Sequence, residues 1–225
     1  MMHKFPSTPH LANLGTLPIR GDKVFTEWER AEFLAHEVIV EEKIDGANLG
    51  ISFDDEGAIQ LQNRGNYISS PFHGQWKKIP DWLKTHTDRL FDALGKDYML
   101  FGEWCFARHS IEYSRLPEWF IGFDVYDLVH KRFLASSFRN NVLELAGIPV
   151  IAEVGRGHFT LDELVRLMKL SAYTDSLCEG LYLRYETGKW LQNRAKLVRA
   201  EFVQSIDSHW SSKPLLPNKV IHSWT

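Results

Sequence analysis

The apolar and polar positions of this 225-residue chain predict short strands and helices that are interspersed along its length. Apolar, aromatic and β-branched runs bounded by polar residues predict strands; they cover 38–40, 49–53, 98–104, 119–128, 181–185 and 190–198. Helical spacing predicts helices over 26–36, 75–94 with a break or restart at Pro80, 137–146 and 160–170. The chain is therefore expected to mix both element types.

Caps and turns indicate how these elements connect. Thr26 with Glu29, and Thr160 with Glu163, have the spacing of a helix-starting capping box. Turn residues at 54–57 predict a hairpin over 37–63, and those at 186–189 predict a second hairpin. Because strands and helices follow each other without a regular βαβ rhythm, we expect an α+β fold built on antiparallel sheet.

Composition narrows the class of protein. A formal net charge of −3 argues against a wholly basic nucleic-acid binder, although a local basic surface remains possible. No apolar run reaches the roughly 18 residues that span a bilayer, so no membrane partner is expected. Cys105 and Cys178 do not make a disulfide framework, and we expect a cytoplasmic protein.

Chemical interest centres on Lys43, which lies in the polar segment 41–48 between two predicted strands. Asp45-Gly46 is a turn signal directly after it. One interpretation is an ordinary hairpin with a solvated Lys43–Asp45 pair. The other is a nucleophile, since burial or nearby positive charge can give a lysine amine that is unprotonated. The segment alone does not decide between them.

Further polar clusters occur at predicted strand ends or within apolar strands. They contain Arg64, Glu103, Phe123, Glu179, and the cations Arg194 and Lys196. Taken one at a time, each has a structural interpretation: Glu103 as a strand-edge carboxylate, Phe123 as core packing, Glu179 as part of a solvated turn. Their order along the chain is more informative than any one of them.

In this order the clusters resemble the motifs of the covalent nucleotidyltransferases, the superfamily of ATP-dependent ligases and mRNA capping enzymes. The matching segments are 43–48 (KxDGxN, motif I), 101–104 (III), 120–124 (IIIa), 179–184 (EGxxxR, IV) and 194–198 (V). The resemblance implies a ligase adenylation domain, ATP-grasp-like, with antiparallel sheets and flanking helices. It places a core at 37–199, an N-terminal segment packing on it at 1–36, and a short C-terminal tail without an OB-fold at 200–225.

The resemblance also implies residue roles. Lys43 would attack the α-phosphorus of ATP, with Lys196 as a second catalytic residue. The remaining ATP-binding residues would be Glu42 at the adenine edge, Phe123 stacked on adenine, Glu103 at the ribose, Arg64 and Arg194 at phosphate or ribose, Asn48 at the ribose-phosphate or RNA end, and Glu179. Magnesium or manganese would be held by Glu179 and Glu103.

Asn48 favours the RNA ligase 2-like branch, because DNA ligases usually carry Arg at this motif position. Two departures leave details open: Asp45 stands where that branch often has His, and Arg194 where Lys is common. The expected activity is sealing of RNA 5′-phosphate to 3′-hydroxyl ends, with repair proteins as possible partners. The alternatives are a DNA ligase-like or capping-type nucleotidyltransferase, and a non-catalytic nucleotide- or RNA-binding module.

The remaining cations include candidates for a local basic surface that would bind the polynucleotide. The candidates are Lys77-Lys78, Lys131-Arg132 with Arg139, and Arg199. In the tail, Phe202–Gln204 and His209-Trp210 are expected to pack back on the core as a short helix and extension.

Overall fold

A computed structural model describes residues 2–19, 21–204 and 214–221 of the chain. The described residues form helices α1 (Glu27–Leu34), α2 (Ile79–Leu94), α3 (Ser136–Ala146), α4 (Leu161–Leu167) and α5 (Ala200–Gln204). The strands are β1 (Val38–Lys43), β2 (Ala47–Phe53), β3 (Ile59–Gln62), β4 (Tyr98–Trp104), β5 (Phe120–Asp127), β6 (Arg132–Phe133), β7 (Glu153–Gly157), β8 (Gly180–Thr187) and β9 (Trp190–Val198).

The strands form two antiparallel sheets, which confirms the predicted α+β fold. One sheet has four strands in the order β7-β1-β8-β9, and the other has five in the order β3-β2-β4-β5-β6. Each sheet belongs to its own compact unit. The unit with the four-stranded sheet comprises the described residues of 6–45 and 152–214, and the other unit comprises those of 2–5, 46–151 and 215–221.

The predicted hairpin over 37–63 is wrong in its first half. Strands β1 and β2 are consecutive in sequence but belong to different sheets, so the chain changes sheet between Lys43 and Ala47. Only β2 and β3 pair as a hairpin. Their turn is where the sequence placed it: Asp54 accepts backbone hydrogen bonds from Glu56 and Ala58.

The predicted helices are present with small shifts in their ends. Both capping boxes form, with Thr26 opening α1 and Thr160 opening α4. Helix α4 ends at Leu167, three residues before the predicted end. A 3-10 turn at Gly74–Trp76 precedes α2, which has Pro80 in its first turn, as expected for a restart.

One face of the four-stranded sheet builds the core of its unit. Leu181 and Leu183 of β8 pack there with Val40 of β1, and with Phe33 of α1 and Leu164 of α4. All of these side chains are at most 3% exposed. Because side chains alternate along a strand, the intervening residues lie on the opposite face. That second face carries the charged residues described below.

In the other unit, β4 lies between β2 and β5, and helices α2 and α3 pack beside each other. The segment 215–221 is bound into this unit through Asn218, which is 3% exposed. Its side chain donates to the carbonyl of Cys105 and accepts from the backbone N–H of Tyr113. His209 and Trp210 lie outside the described residues.

Two further expectations concern cysteines and membranes. Cys105 and Cys178 are both buried, and neither forms a disulfide bond within the described residues. Across the described ranges, the structure contains no helix with the length and apolar character needed to cross a bilayer. The segment boundaries at 36/37 and 199/200 stay predictions.

Candidate active site

The strand register brings the motif lysines onto one face of the four-stranded sheet. Glu41 of β1 lies opposite Tyr182 of β8, and Tyr182 lies opposite Lys196 of β9. Residues directly opposite each other on antiparallel strands share a face. Lys43, two residues after Glu41, therefore shares this face with Lys196, and so does Arg194. We call this surface the charged face.

Lys43 ends β1 and is held by Glu179. Its Nζ donates to Glu179 Oε2 over 2.7 Å, and the two side chains are 27% and 7% exposed. Burial raises the pKa of the Glu179 carboxyl to about 7, and the positive charge of Lys43 opposes this rise. Glu179 is thus a buried partner of Lys43 and not part of a solvated turn.

Lys196 is paired with a residue far away in sequence. Its side chain is 11% exposed, and its Nζ donates to Asp22 Oδ2. Burial favours a higher pKa for the Asp22 carboxyl, but hydrogen bonds from Lys196 and Ser7 outweigh this and hold the pKa below its ordinary value. Asp22 thus stays a carboxylate beside Lys196.

Arg194 lies opposite Arg184, the last residue of the motif IV segment. Arg194 is 9% exposed and Arg184 is fully buried. Arg184 Nε donates to Glu186 Oε1 over 2.6 Å, and its Nη1 lies 4.0 Å from Glu41 Oε2. Two carboxylates thus accompany Arg184, as a buried charge requires.

Glu42 lies on the opposite face from Lys43, because it is the preceding residue of the same strand. Its two carboxylate oxygens accept hydrogen bonds from Ser171 Oγ over 2.5 Å and from Ala172 N–H over 2.8 Å. It is 2% exposed, so it is a buried carboxylate and not one on the surface. Its role at the adenine edge stays a prediction.

The motif residues of the other unit lie mainly on β2 and β4. Asn48 is directly opposite Glu103, and both are half-buried. Glu103 Oε1 accepts the backbone N–H of Gly46 over 3.1 Å, which ties the motif I glycine to motif III. Since β4 has a neighbour on each side, Glu103 is not on an edge strand as one interpretation proposed.

Phe123 lies at a β-bulge in β5, between residues that pair with Gly102 and Phe101 of β4. Bulges re-aim side chains and are frequent beside functional sites. The ring is half-buried and contacts Phe5 at 5.3 Å between centroids. The Phe123 carbonyl accepts a hydrogen bond from Arg139 Nη1. Arg139 is only 1% exposed, so the prediction that it belongs to a basic surface is wrong.

The structure divides the predicted site residues between the two units. Glu42, Lys43, Glu179, Arg194 and Lys196 lie with the four-stranded sheet, and four of these five are on or beside the charged face. The remaining four lie in the unit with the five-stranded sheet; they are Asn48, Arg64, Glu103 and Phe123. Arg64 is exposed, in the turn that follows β3.

Three residues at this site lie outside every motif and were missed. Asp22 and His10 adjoin Lys196, and Ser171 binds Glu42. Lys196 and Asp22 are 174 residues apart. A local sequence pattern contains no signal for such a pairing.

His10 is the most unusual of these. It is 5% exposed, and its Nδ1 has no hydrogen-bond partner among the described residues. Burial lowers its pKa to about 4, and the positive charges of Lys196 and Lys43 act in the same direction while Asp22 opposes them. His10 is therefore neutral at neutral pH.

This gives a stability prediction. Between pH values of about 6.5 and 4, the unfolded chain takes up a proton at His10 before the folded chain does. The free energy of unfolding should therefore fall as the pH is lowered through this window. His10→Gln should flatten that part of the profile, measured by urea unfolding at a series of pH values. The exposed His158→Gln is the control and should keep the wild-type slope; an unchanged slope in His10→Gln would contradict the assignment.

Gly180, opposite Lys43, gives a second prediction. A Cβ there would overlap the carbonyl oxygen of Leu197 and lie 2.9 Å from Val198 Cα. Both neighbours are backbone of β9 and cannot move aside cheaply. Gly180→Ala should lower the free energy of unfolding by about 1–3 kcal/mol, measured by urea denaturation. Gly65→Ala, where nothing lies within 4 Å of the added atom, should stay near wild type; equal losses in both would refute the steric argument.

A comparison with known families matches residues 36–198 to the RNA ligase family. The match covers most of the chain and includes all five motif segments. The chain belongs to the RNA ligase family. A search of curated protein sequences finds no match.

Solved structures of RNA ligases have a similar fold. One mutant of Naegleria gruberi RNA ligase with AMP and Mn matches with a TM-score of 0.61 at 14% identity, over 89% of this chain and 63% of that one. Another mutant, with ATP and Mn, gives 0.59 at 14%, over 88% and 62%. The same ligase with PPi gives 0.59 at 16%, over 90% and 64%. This ligase-family chain thus spans less than two thirds of the length of these proteins.

Proposed function

We propose that this protein is an ATP-dependent RNA ligase that forms a lysyl-AMP intermediate on Lys43. The observation that carries the proposal is the Lys43–Glu179 hydrogen bond of 2.7 Å at the end of β1, on the sheet face that also bears Lys196. Membership of the RNA ligase family supports the reaction class. The Naegleria ligase structures with ATP or AMP and Mn support ATP as a reactant and a divalent metal ion as the cofactor here.

In the first step, the Lys43 amine attacks the α-phosphorus of ATP. A nitrogen–phosphorus bond forms, the bond to pyrophosphate breaks, and pyrophosphate leaves with the electron pair. The amine must lose a proton in this step, and Glu179 Oε2 is at hydrogen-bond distance to accept it. Holding Nζ at one position also reduces the entropy lost on reaching the transition state.

The cations of motif V would balance the charge of the phosphates. Lys196 supplies a compact point charge, whereas Arg194 offers a planar fork suited to two oxygens. Both side chains are nearly buried, where electrostatic attraction is stronger than in water. Arg64 is the exposed cation of this set and is assigned to phosphate or ribose.

The adenosine contacts are assigned from the motifs and from the surroundings of each residue. Phe123 would stack on adenine, for which a half-buried aromatic ring is suited. Glu103 would hold the ribose, and Asn48, directly opposite it, would contact the ribose-phosphate or the RNA end. Glu42 would fix the adenine edge through the backbone position that its bonds to Ser171 and Ala172 maintain.

Glu179 and Glu103 are the candidate metal-binding carboxylates. No group of three or more His, Cys, Asp or Glu side chains is assembled as a metal site within the described ranges. Mg²⁺ is commonly bound by one or two carboxylates together with water and nucleotide phosphates. When bound, such a cation neutralises phosphate charge and polarises the phosphorus. Glu179 is the more buried of the two carboxylates.

The later steps would use RNA ends. A 5′-phosphate oxygen attacks the lysyl-AMP phosphorus and releases Lys43, and a 3′-hydroxyl then attacks the activated 5′-phosphate and releases AMP. Lys77, Lys78, Lys131, Arg132 and Arg199 remain candidates for contacts to the RNA backbone. Repair proteins are proposed as partners for RNA binding.

Labelling with α-labelled ATP and Mg²⁺ or Mn²⁺, followed by a denaturing gel, tests the proposal. We expect label on the protein with ATP. Label from GTP alone would indicate capping-type chemistry, and no label with either metal would favour a non-catalytic nucleotide- or RNA-binding module. Sealing of nicked RNA, nicked DNA and single-stranded RNA then distinguishes an RNA ligase from a DNA ligase.

A further inference from the structure

The N-terminal segment forms an additional edge of the four-stranded sheet beside Lys196. The backbone N–H of Lys196 donates to the carbonyl of Pro9 over 2.9 Å, and the Lys196 carbonyl accepts from Leu11 N–H over 2.7 Å. His10 lies opposite Lys196 in this pairing and so shares the charged face. The chain around Val24 lies alongside this segment in turn, because His10 also forms a parallel β-bridge with Val24.

This arrangement brings Asp22 to the end of the Lys196 side chain. One Asp22 carboxylate oxygen accepts from Lys196 Nζ, and the other accepts from Ser7 Oγ. The Lys196 side chain is 11% exposed and the Asp22 side chain is 22% exposed. The carboxylate is therefore held from two sides, and it defines where the ammonium group lies.

The neighbouring His10 indicates that the surroundings of this pair serve more than packing. Its buried Nδ1 has no partner among the described residues. Leaving such a group unsatisfied costs free energy, and buried polar groups without partners are rare in folded proteins.

The chemistry of lysine explains why Lys196 needs a fixed partner. Its ammonium is carried on a flexible four-carbon side chain and has three N–H donors. One of these donors goes to Asp22. A lysine fixed in this way loses less rotamer freedom when phosphate binds, which favours both binding and phosphoryl transfer.

We propose that Asp22 is a positioning residue that sets the Lys196 ammonium for contact with the nucleotide phosphates. The inference rests on the proposed function, because it takes the phosphates of ATP as the group that Lys196 meets. It adds the N-terminal segment to the nucleotide site. Asp22 acts through Lys196 and does not itself contact phosphate.

Asp22→Asn tests this, because it keeps the size of the side chain and removes its charge. We expect about a fivefold weaker ATP affinity, measured by tryptophan fluorescence, and about a tenfold slower labelling by α-labelled ATP at saturation. In a Lys196→Met background the same substitution should change neither quantity further, since the group through which it acts is gone. A fall of equal size in that background would overturn the proposal.

Two controls separate positioning from folding. Asp81→Asn removes an exposed carboxylate that accepts from Lys84 over 3.0 Å, and it should leave affinity and labelling unchanged. If Asp22→Asn does not fold, judged by circular dichroism, Ser7→Ala replaces it. Ser7→Ala removes one of the two hydrogen bonds that hold the Asp22 carboxylate. It should weaken ATP affinity about twofold to threefold, and only while Lys196 is present. Unchanged affinity in a folded Ser7→Ala protein would overturn the proposal.

The same measurements distinguish a failure of the proposed ligase reaction from a failure of the proposed role of Asp22. Absence of labelling in the wild type, with ATP affinity that still depends on Asp22 through Lys196, would refute the ligase reaction and retain the positioning role. Labelling that is unaffected by Asp22→Asn would retain the ligase reaction and refute the positioning role.

Discussion

Lys43→Ala is expected to abolish transfer of label from α-labelled ATP to the protein, with a loss of at least about 1000-fold. The substitution removes the amine that would form the bond to phosphorus, and no other group of the charged face can replace it at the end of β1. Labelled protein on a denaturing gel measures the effect.

Lys43→Arg separates the nucleophile from its charge. Arginine can keep an ion pair with Glu179, but its guanidinium stays protonated and is not a nucleophile. Both variants should therefore be inactive while they still bind ATP, which tryptophan fluorescence can follow. Labelling of either variant at the wild-type rate would show that another residue carries the AMP.

Glu179→Gln is expected to slow labelling on the order of 100-fold. Glutamine keeps the shape of the side chain but loses the charge that holds Lys43 Nζ and that would accept its proton. Burial already disfavours the ionised carboxyl, which raises its pKa to about 7. A neutral glutamine should therefore not unfold the protein, and the loss should be one of rate.

Glu153→Gln is the matched control for this variant. Glu153 is in the same sheet, on β7, but its carboxylate is exposed and pairs with Arg156 over 2.9 Å. Its labelling rate should equal that of the wild type. A Glu179→Gln protein that labels within threefold of wild type would remove Glu179 from the reaction.

The sequence predicts the local elements well where a physical signal is itself local. The capping boxes at Thr26 and Thr160 are satisfied within one helical turn, and both form. The hairpin of β8 and β9 also needs only its own turn and alternation. Strand β7 was missed, because its sequence Glu-Val-Gly-Arg-Gly has little apolar alternation and is stabilised by pairing with β1.

Long-range pairing explains the remaining differences between the predicted and the observed structure. Nothing near Lys43 indicates that β1 and β2 belong to different sheets. The resemblance to nucleotidyltransferases identified Lys43, Glu179 and Lys196, which the structure brings to one region of one sheet. Alternation along β1 could have placed Glu42 on the other face. The partner of Lys196 could not be predicted, because it depends on the N-terminal segment adding to β9.

The way the chain is divided between its two units has a consequence for synthesis on the ribosome. Each unit is assembled from separate stretches, and the unit with the five-stranded sheet includes residues 215–221. Asn218 bonds to Cys105 and Tyr113, which precede it by 113 and 105 residues in the sequence. These two hydrogen bonds can therefore form only after more than a hundred further residues have been translated. This unit therefore stays incomplete on the nascent chain until translation has passed residues 152–214 of the other unit.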